Sequence, residues 1–160
     1  MAKPIMITLN RIRAYDPCNS GWSKLLAAKG KTKADDEEFP LADILETNDL
    51  DDCLWALRCT PKDTHHLWRK FAVWSARQVE HLMEDERSKA ALNVAWQHSN
   101  GEATDDELAA AWDAARAAAM AAARHAAAGY AAAGYAAWDA VRAAQSEKIR
   151  QILIAGEWVE

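Results

Sequence analysis

The 160 residues carry a formal net charge of −5, with 51% hydrophobic and 27% charged side chains, the composition of an ordinary globular chain able to bury a core. The acidic balance argues against nucleic-acid binding, nonspecific or sequence-specific, because that activity needs a basic footprint. No run of about 18 apolar residues is present to span a membrane, and the N-terminus lacks the apolar core of a signal peptide, so residence in the cytoplasm is expected.

Two regions of different character follow one another within a single expected domain, 1–160. Residues 1–60 read as short elements between clear breakers. Ile5 to Leu9 is the one segment with a strand pattern. Asp16-Pro17, Gly30 and Phe39-Pro40 read as breaks. Between them Ser20 can cap a helix through Trp22, Leu25 and Leu26 that stops at Gly30. Leu41, Ile44 and Leu45 form a second short apolar face, and Leu50, Leu54, Trp55 and Leu57 a third. Cys18, Cys53 and Cys59 are an odd number without a CxxC pair, which gives neither a disulfide framework nor a zinc signature. Cys53 and Cys59, in an apolar run, read as small buried thiols.

Charge in this region is segregated. Residues 1–34 hold seven bases and one acid, whereas residues 35–52 hold nine acids and no base: Asp35, Asp36, Glu37, Glu38, Asp43, Glu46, Asp49, Asp51 and Asp52. Two readings stand. The runs are solvated faces that partly neutralise each other, or the acids form a docking face for a basic partner surface, where complementarity speeds encounter and favours specificity.

Residues 61–160 read as a bundle of long helices. Asp63 or Thr64 can cap one running to Met83, with Leu67, Phe71, Trp74, Val79 and Leu82 at helical spacing. Arg77, midway along it, is expected in an ion pair with an acid of residues 49–52. A second helix runs from Arg87 to Ser99, carries Leu92, Ala95 and Trp96, and ends at Asn100-Gly101. Thr104-Asp105-Asp106-Glu107 is a capping box, in which a threonine oxygen and a glutamate satisfy each other's backbone amides. From Ala109 to Ala144, 22 of 36 residues are alanine, the strongest helix former. Leu108, Trp112, Met120, Tyr130, Trp138, Val141 and Ile152 share one stripe of that Ala-rich segment, 104–155.

As one helix that segment would span roughly 78 Å, against a radius of gyration of about 15 Å for a compact chain of this length. A break near Ala126–Gly134, at the two Gly-Tyr pairs, is therefore expected, folding it into an antiparallel pair. A continuous helix pairing in a homodimer is the alternative. The fold class is accordingly all-α: a helical bundle with short N-terminal helices and a long alanine-rich C-terminal helix. The eight tryptophans are assigned mainly to core and helix-seam packing.

No catalytic, cofactor or metal site is expected. His65, His66, Glu80 and His81 lack the i, i+4 convergence that a zinc site needs. No nucleophile elbow, phosphate-cradling loop or Gly-rich dinucleotide motif occurs.

From Phe71 onward the order of features resembles the immunity-five-like group of immunity proteins, helical proteins of bacterial polymorphic-toxin systems found on phages and prophages. The shared pattern is an aromatic-Ala-x-x-x-Ala-Arg helix (Phe71, Ala72, Ala76, Arg77), an acidic-Arg turn (Glu84-Asp85-Glu86-Arg87), a Gly-x-Ala-Thr cap (Gly101, Ala103, Thr104) and Ala/Arg repeats. What the resemblance implies is binding: a non-enzymatic inhibitor that occludes a toxin or a host-defence effector such as a CRISPR complex. A structural or oligomerising scaffold built on the alanine-rich helices is the alternative.

Overall fold

The computed structural model describes residues 3–78, 80–114 and 134–160, apart from the side chains of Leu82 and of 134–138. The fold is predominantly all-α with one small antiparallel sheet. The proposed break near Ala126–Gly134, together with Met120 and Tyr130 of the stripe, lies outside the described residues. The chain divides into two compact units: residues up to His65 together with Arg142–Glu160, and His66–Val141.

The first unit is built around two short strands. Strand β1 (Met6–Thr8) pairs antiparallel with β2 (Glu38–Pro40), Ile7 opposite Phe39. Ile5, Ile7 and Leu9 are all buried, the period-2 pattern of a strand with one face on a core. Phe39-Pro40, expected as a break, is thus a strand. Its partner lies about 30 residues away in sequence, where local signals do not reach, and proline is tolerated because it sits at the end of an edge strand.

Helix α1 (Leu9–Arg13) follows directly, Thr8 accepting the Arg11 amide at 3.1 Å as its cap. Helix α2 (Asn19–Ala28) ends at Gly30, whose φ of +64° makes the left-handed turn expected there. Its cap is Cys18 rather than Ser20, the thiol accepting the Gly21 amide. Helices α3 (Ala42–Thr47) and α4 (Leu50–Ala56) bury Ile44 and then Leu50, Cys53 and Ala56. Of the expected face Leu50 and Leu57 are buried, whereas Leu54 and Trp55 are only half-buried and Cys53 and Ala56 take the core positions.

So short a ribbon needs further strands or a helix packed against it, because a two-stranded pair is marginal alone. Here the last part of a C-terminal helix supplies the support. Ile149, Ile152 and Leu153 are fully buried, and the Ile5 amide donates to the Leu153 carbonyl at 2.9 Å. That helix, described from Gly134 to Ala155, is α8 below. It ends at Gly156, φ +71°, packed so closely that an added Cβ would lie 2.1 Å from the Lys3 carbonyl oxygen.

The second unit contains α5 (His65–Arg77), α6 (Glu86–Ser99) and the helix at 105–114, α7. The expected long helix to Met83 stops at Arg77, and a separate turn covers Glu80–Leu82. Leu67, Phe71 and Val73 of α5 and Ala91 and Ala95 of α6 are buried. Gly101, φ +76°, ends α6 as expected. The capping box forms as read: Glu107 N–H donates to Thr104 Oγ1 at 3.2 Å, and the Thr104 N–H donates to Glu107 Oε2 at 2.8 Å. His98 bridges the turn to Asp105 at 2.7 Å.

Arg77 departs from expectation. Its guanidinium donates to Asn93 Oδ1 at 2.9 Å and lies 5.3 Å from the centroid of Trp96, with Lys70 over the same indole. Among the described residues it has no carboxylate partner. Six of the seven tryptophans whose side chains are described are half-buried, as at helix seams. No described tryptophan side chain is fully buried, and Trp112 of the stripe is 55% exposed. Among the described residues the core is mainly aliphatic, with Phe39, Phe71 and two cysteines.

Candidate functional site: an apolar slot beside the acidic segment

Within the first unit, α2 and α4 turn matching faces toward each other. Cys18, Gly21, Trp22 and Leu25 follow the i, i+3, i+4, i+7 spacing that puts them on one side of α2. Asp51, Asp52, Trp55 and Ala56, at i, i+1, i+4 and i+5, share the facing side of α4. With Ile44 and Asn48 they enclose a cavity of about 240 Å³ whose walls are mostly apolar. Trp22 and Trp55 are half-buried, and each carries a guanidinium over its ring: Arg13 at 5.6 Å from Trp22 and Arg58 at 4.9 Å from Trp55. Neither arginine lines the slot.

Three groups of the lining are joined by hydrogen bonds. The Asn48 amide nitrogen donates to Asp52 Oδ2 at 2.7 Å and to the Gly21 carbonyl at 2.9 Å. Gly21 is buried, and a Cβ there would lie 2.8 Å from Asp52 Oδ2. A glycine inside a helix costs about 1 kcal/mol relative to alanine; here it makes the space in which the Asp52 carboxylate sits.

The nine acids of 35–52 are distributed unevenly. Lys31 pairs with both Asp35 and Glu37, which raises its own pKa and lowers that of Asp35. Lys29 pairs with Asp43, Arg142 with Asp51 at 2.8 Å, and Arg150 with Glu46 at 2.6 Å. Asp49 caps α4, accepting the Asp52 amide at 2.8 Å. The carboxylates of Asp36, Glu38 and Asp52 have no basic partner among the described residues. Mutual neutralisation of the two charge runs thus accounts for Asp35, Glu37 and Asp43, and two arginines of α8 add to it.

Cys18 stands exposed at the slot's edge. Hydrogen bonds from Ser20 and from the Gly21 amide hold its thiol below the ordinary thiol range. No histidine or lysine lines the slot beside it, so the arrangement offers binding surface and one activated thiol rather than a nucleophile paired with a base. His65 contacts the Thr60 carbonyl at 3.3 Å, and among the described residues no three His, Cys, Asp or Glu side chains converge as a metal site would require. Among the same residues no helix is long and apolar enough to cross a membrane.

The slot was missed in the sequence reading, which assigned Trp22 and Trp55 to packing. The available signal was the pair of i, i+4 steps Cys18-Trp22 and Asp51-Trp55, each setting a polar side chain beside an indole. No protein-family model, curated protein or solved structure matches the chain.

Proposed function

We propose that this chain is a non-enzymatic, protein-binding inhibitor of phage or prophage type, acting in the bacterial cytoplasm on a toxin or a host-defence effector, with residues 35–52 as its docking face. The resemblance that begins at Phe71 supports the class. The observation that carries the reading is that Asp36, Glu38 and Asp52 have no basic partner among the described residues, Asp52 lining an open slot with two half-buried indoles. Interfaces concentrate their energy where aromatic anchors meet desolvated polar groups, and uncompensated acids speed encounter with a basic surface.

The test is capture of partners by the tagged chain in its bacterial host, compared with a variant carrying Asp36→Lys and Glu38→Lys. These two positions isolate docking from folding, since reversing Asp35 or Glu37 would break the Lys31 pairs. Loss of a partner's capture is the expected result; unchanged capture of every partner rejects the docking face. Self-association through the long helices is a second reading, favoured by the exposed indole of Trp112. Light scattering separates them, because a stable oligomer with no captured partner supports the scaffold.

A further inference from the structure

We infer that the slot between α2 and α4 receives a single arginine side chain from the partner protein. The inference rests on the protein-binding reading and names the group that the docking face would take.

Three observations fix the chemistry of the occupant. First, the volume of about 240 Å³ falls below the range of about 300–1,000 Å³ typical of cofactor and small-molecule sites, so one long side chain fits better than a metabolite. Second, the lining is mostly apolar but carries the Asp52 carboxylate, held by Asn48 and with no base against it among the described residues, whereas the other lining acid, Asp51, pairs with Arg142. An apolar stem with a cationic head is the complement of that lining, and arginine has both. Third, the planar guanidinium stacks on indoles where a lysine ammonium is a compact, strongly hydrated point charge. The chain already uses this pairing, with Arg13 on Trp22 and Arg58 on Trp55 outside the slot. Gly21 leaves the space that the carboxylate occupies, and a side chain there would make Asp52 shift.

The experiment uses the full chain labelled with nitrogen-15 and the tripeptide Gly-Arg-Gly amide, beside the same peptide with citrulline or norleucine in place of arginine. The indole N–H signals of Trp22 and Trp55, assigned from Trp22→Phe and Trp55→Phe, report occupancy. Arginine peptide is expected to shift both signals at millimolar concentrations, with the citrulline and norleucine peptides weaker by about tenfold or more, the factor expected for one charge-assisted hydrogen bond. Asp52→Asn should bring the arginine peptide to the citrulline level. Gly21→Ala, which acts on the same carboxylate from the other helix, should do the same. An independent readout is the alkylation rate of Cys18, slowed by the arginine peptide and not by citrulline.

Equal binding of norleucine and arginine would make the slot a plain apolar groove and overturn the inference, as would shifts confined to residues near Asp36 and Glu38. The two readings fail separately. If a partner is captured equally by the native chain and by Asp52→Asn, the arginine slot is wrong and protein binding stands. If the slot selects arginine peptide but no partner is captured, the inhibitor reading falls instead.

Discussion

The thiol of Cys18 accepts an amide hydrogen at the start of α2 and stands in solvent, whereas burial pushes Cys53 up to about 12 and Cys59 up to about 11. Since the thiolate is the reactive form, a limiting thiol reagent near neutral pH should modify one cysteine rapidly and leave two for unfolding to expose. Cys18→Ser should remove the fast phase in a stopped-flow trace; a fast phase that survives would contradict the assignment. Gly156 makes an opposite kind of demand. Alanine there must adopt a left-handed conformation, which costs roughly 1–2 kcal/mol, and its Cβ would meet the Lys3 carbonyl. Gly156→Ala should therefore lower the melting temperature by several degrees, while Gly30→Ala, with open space around it, should lower it less. The glycines were legible as helix stops because the left-handed turn is a local requirement. The contact with Lys3 was not, since it joins opposite ends of the sequence.

Helix ends show the same division. The Thr104 capping box could be read directly, because both its partners lie within four residues. Thr104→Ala should cost about 1 kcal/mol in the second unit, measured by denaturant unfolding. The pH dependence has a defined sign. The Thr104 amide and hydroxyl hold the Glu107 carboxyl below the usual carboxylate range, so its contribution is complete above the ordinary glutamate value and is lost as pH falls through the lowered one. Glu107→Gln should then match the native chain in strongly acidic solution and fall below it at neutral pH in melts followed by circular dichroism. The cap of α2 was not legible, because cysteine is not among the usual capping residues. The end of α5 at Arg77 was also hidden, for the apolar spacing continues to Leu82 and only tertiary packing decides where the helix stops.

At the scale of the molecule, composition divided the chain at residue 60, but the first unit recruits 142–160 from the far end. Ile149, Ile152 and Leu153 fill its core with no residual exposure. Ile152→Ala and Leu153→Ala should each cost about 2–5 kcal/mol. Hydrogen exchange provides the finer check: these substitutions should raise exchange at the Ile5 and Leu41 amides, which bond to Leu153 and Ile5, more than at α6. The all-α class and the bundle character were legible from periodicity, which is a property of each helix alone. The sheet, the slot and the closing of the first unit depend on pairs distant in sequence, and composition carries no record of them.

That closing contact also sets an order of events during synthesis. With β1 resting on the end of α8, the first 65 residues leave the ribosome before the segment that covers them exists. At about 5–20 residues per second, the chain needs roughly 4–18 s to go from residue 65 to residue 153. For that interval Ile5, Ile7 and Leu41 lack Ile149, Ile152 and Leu153, and a nascent-chain holdase has an apolar ribbon to grip. A ribosome-stalled series should show β1 becoming resistant to protease only after Leu153 has cleared the exit tunnel.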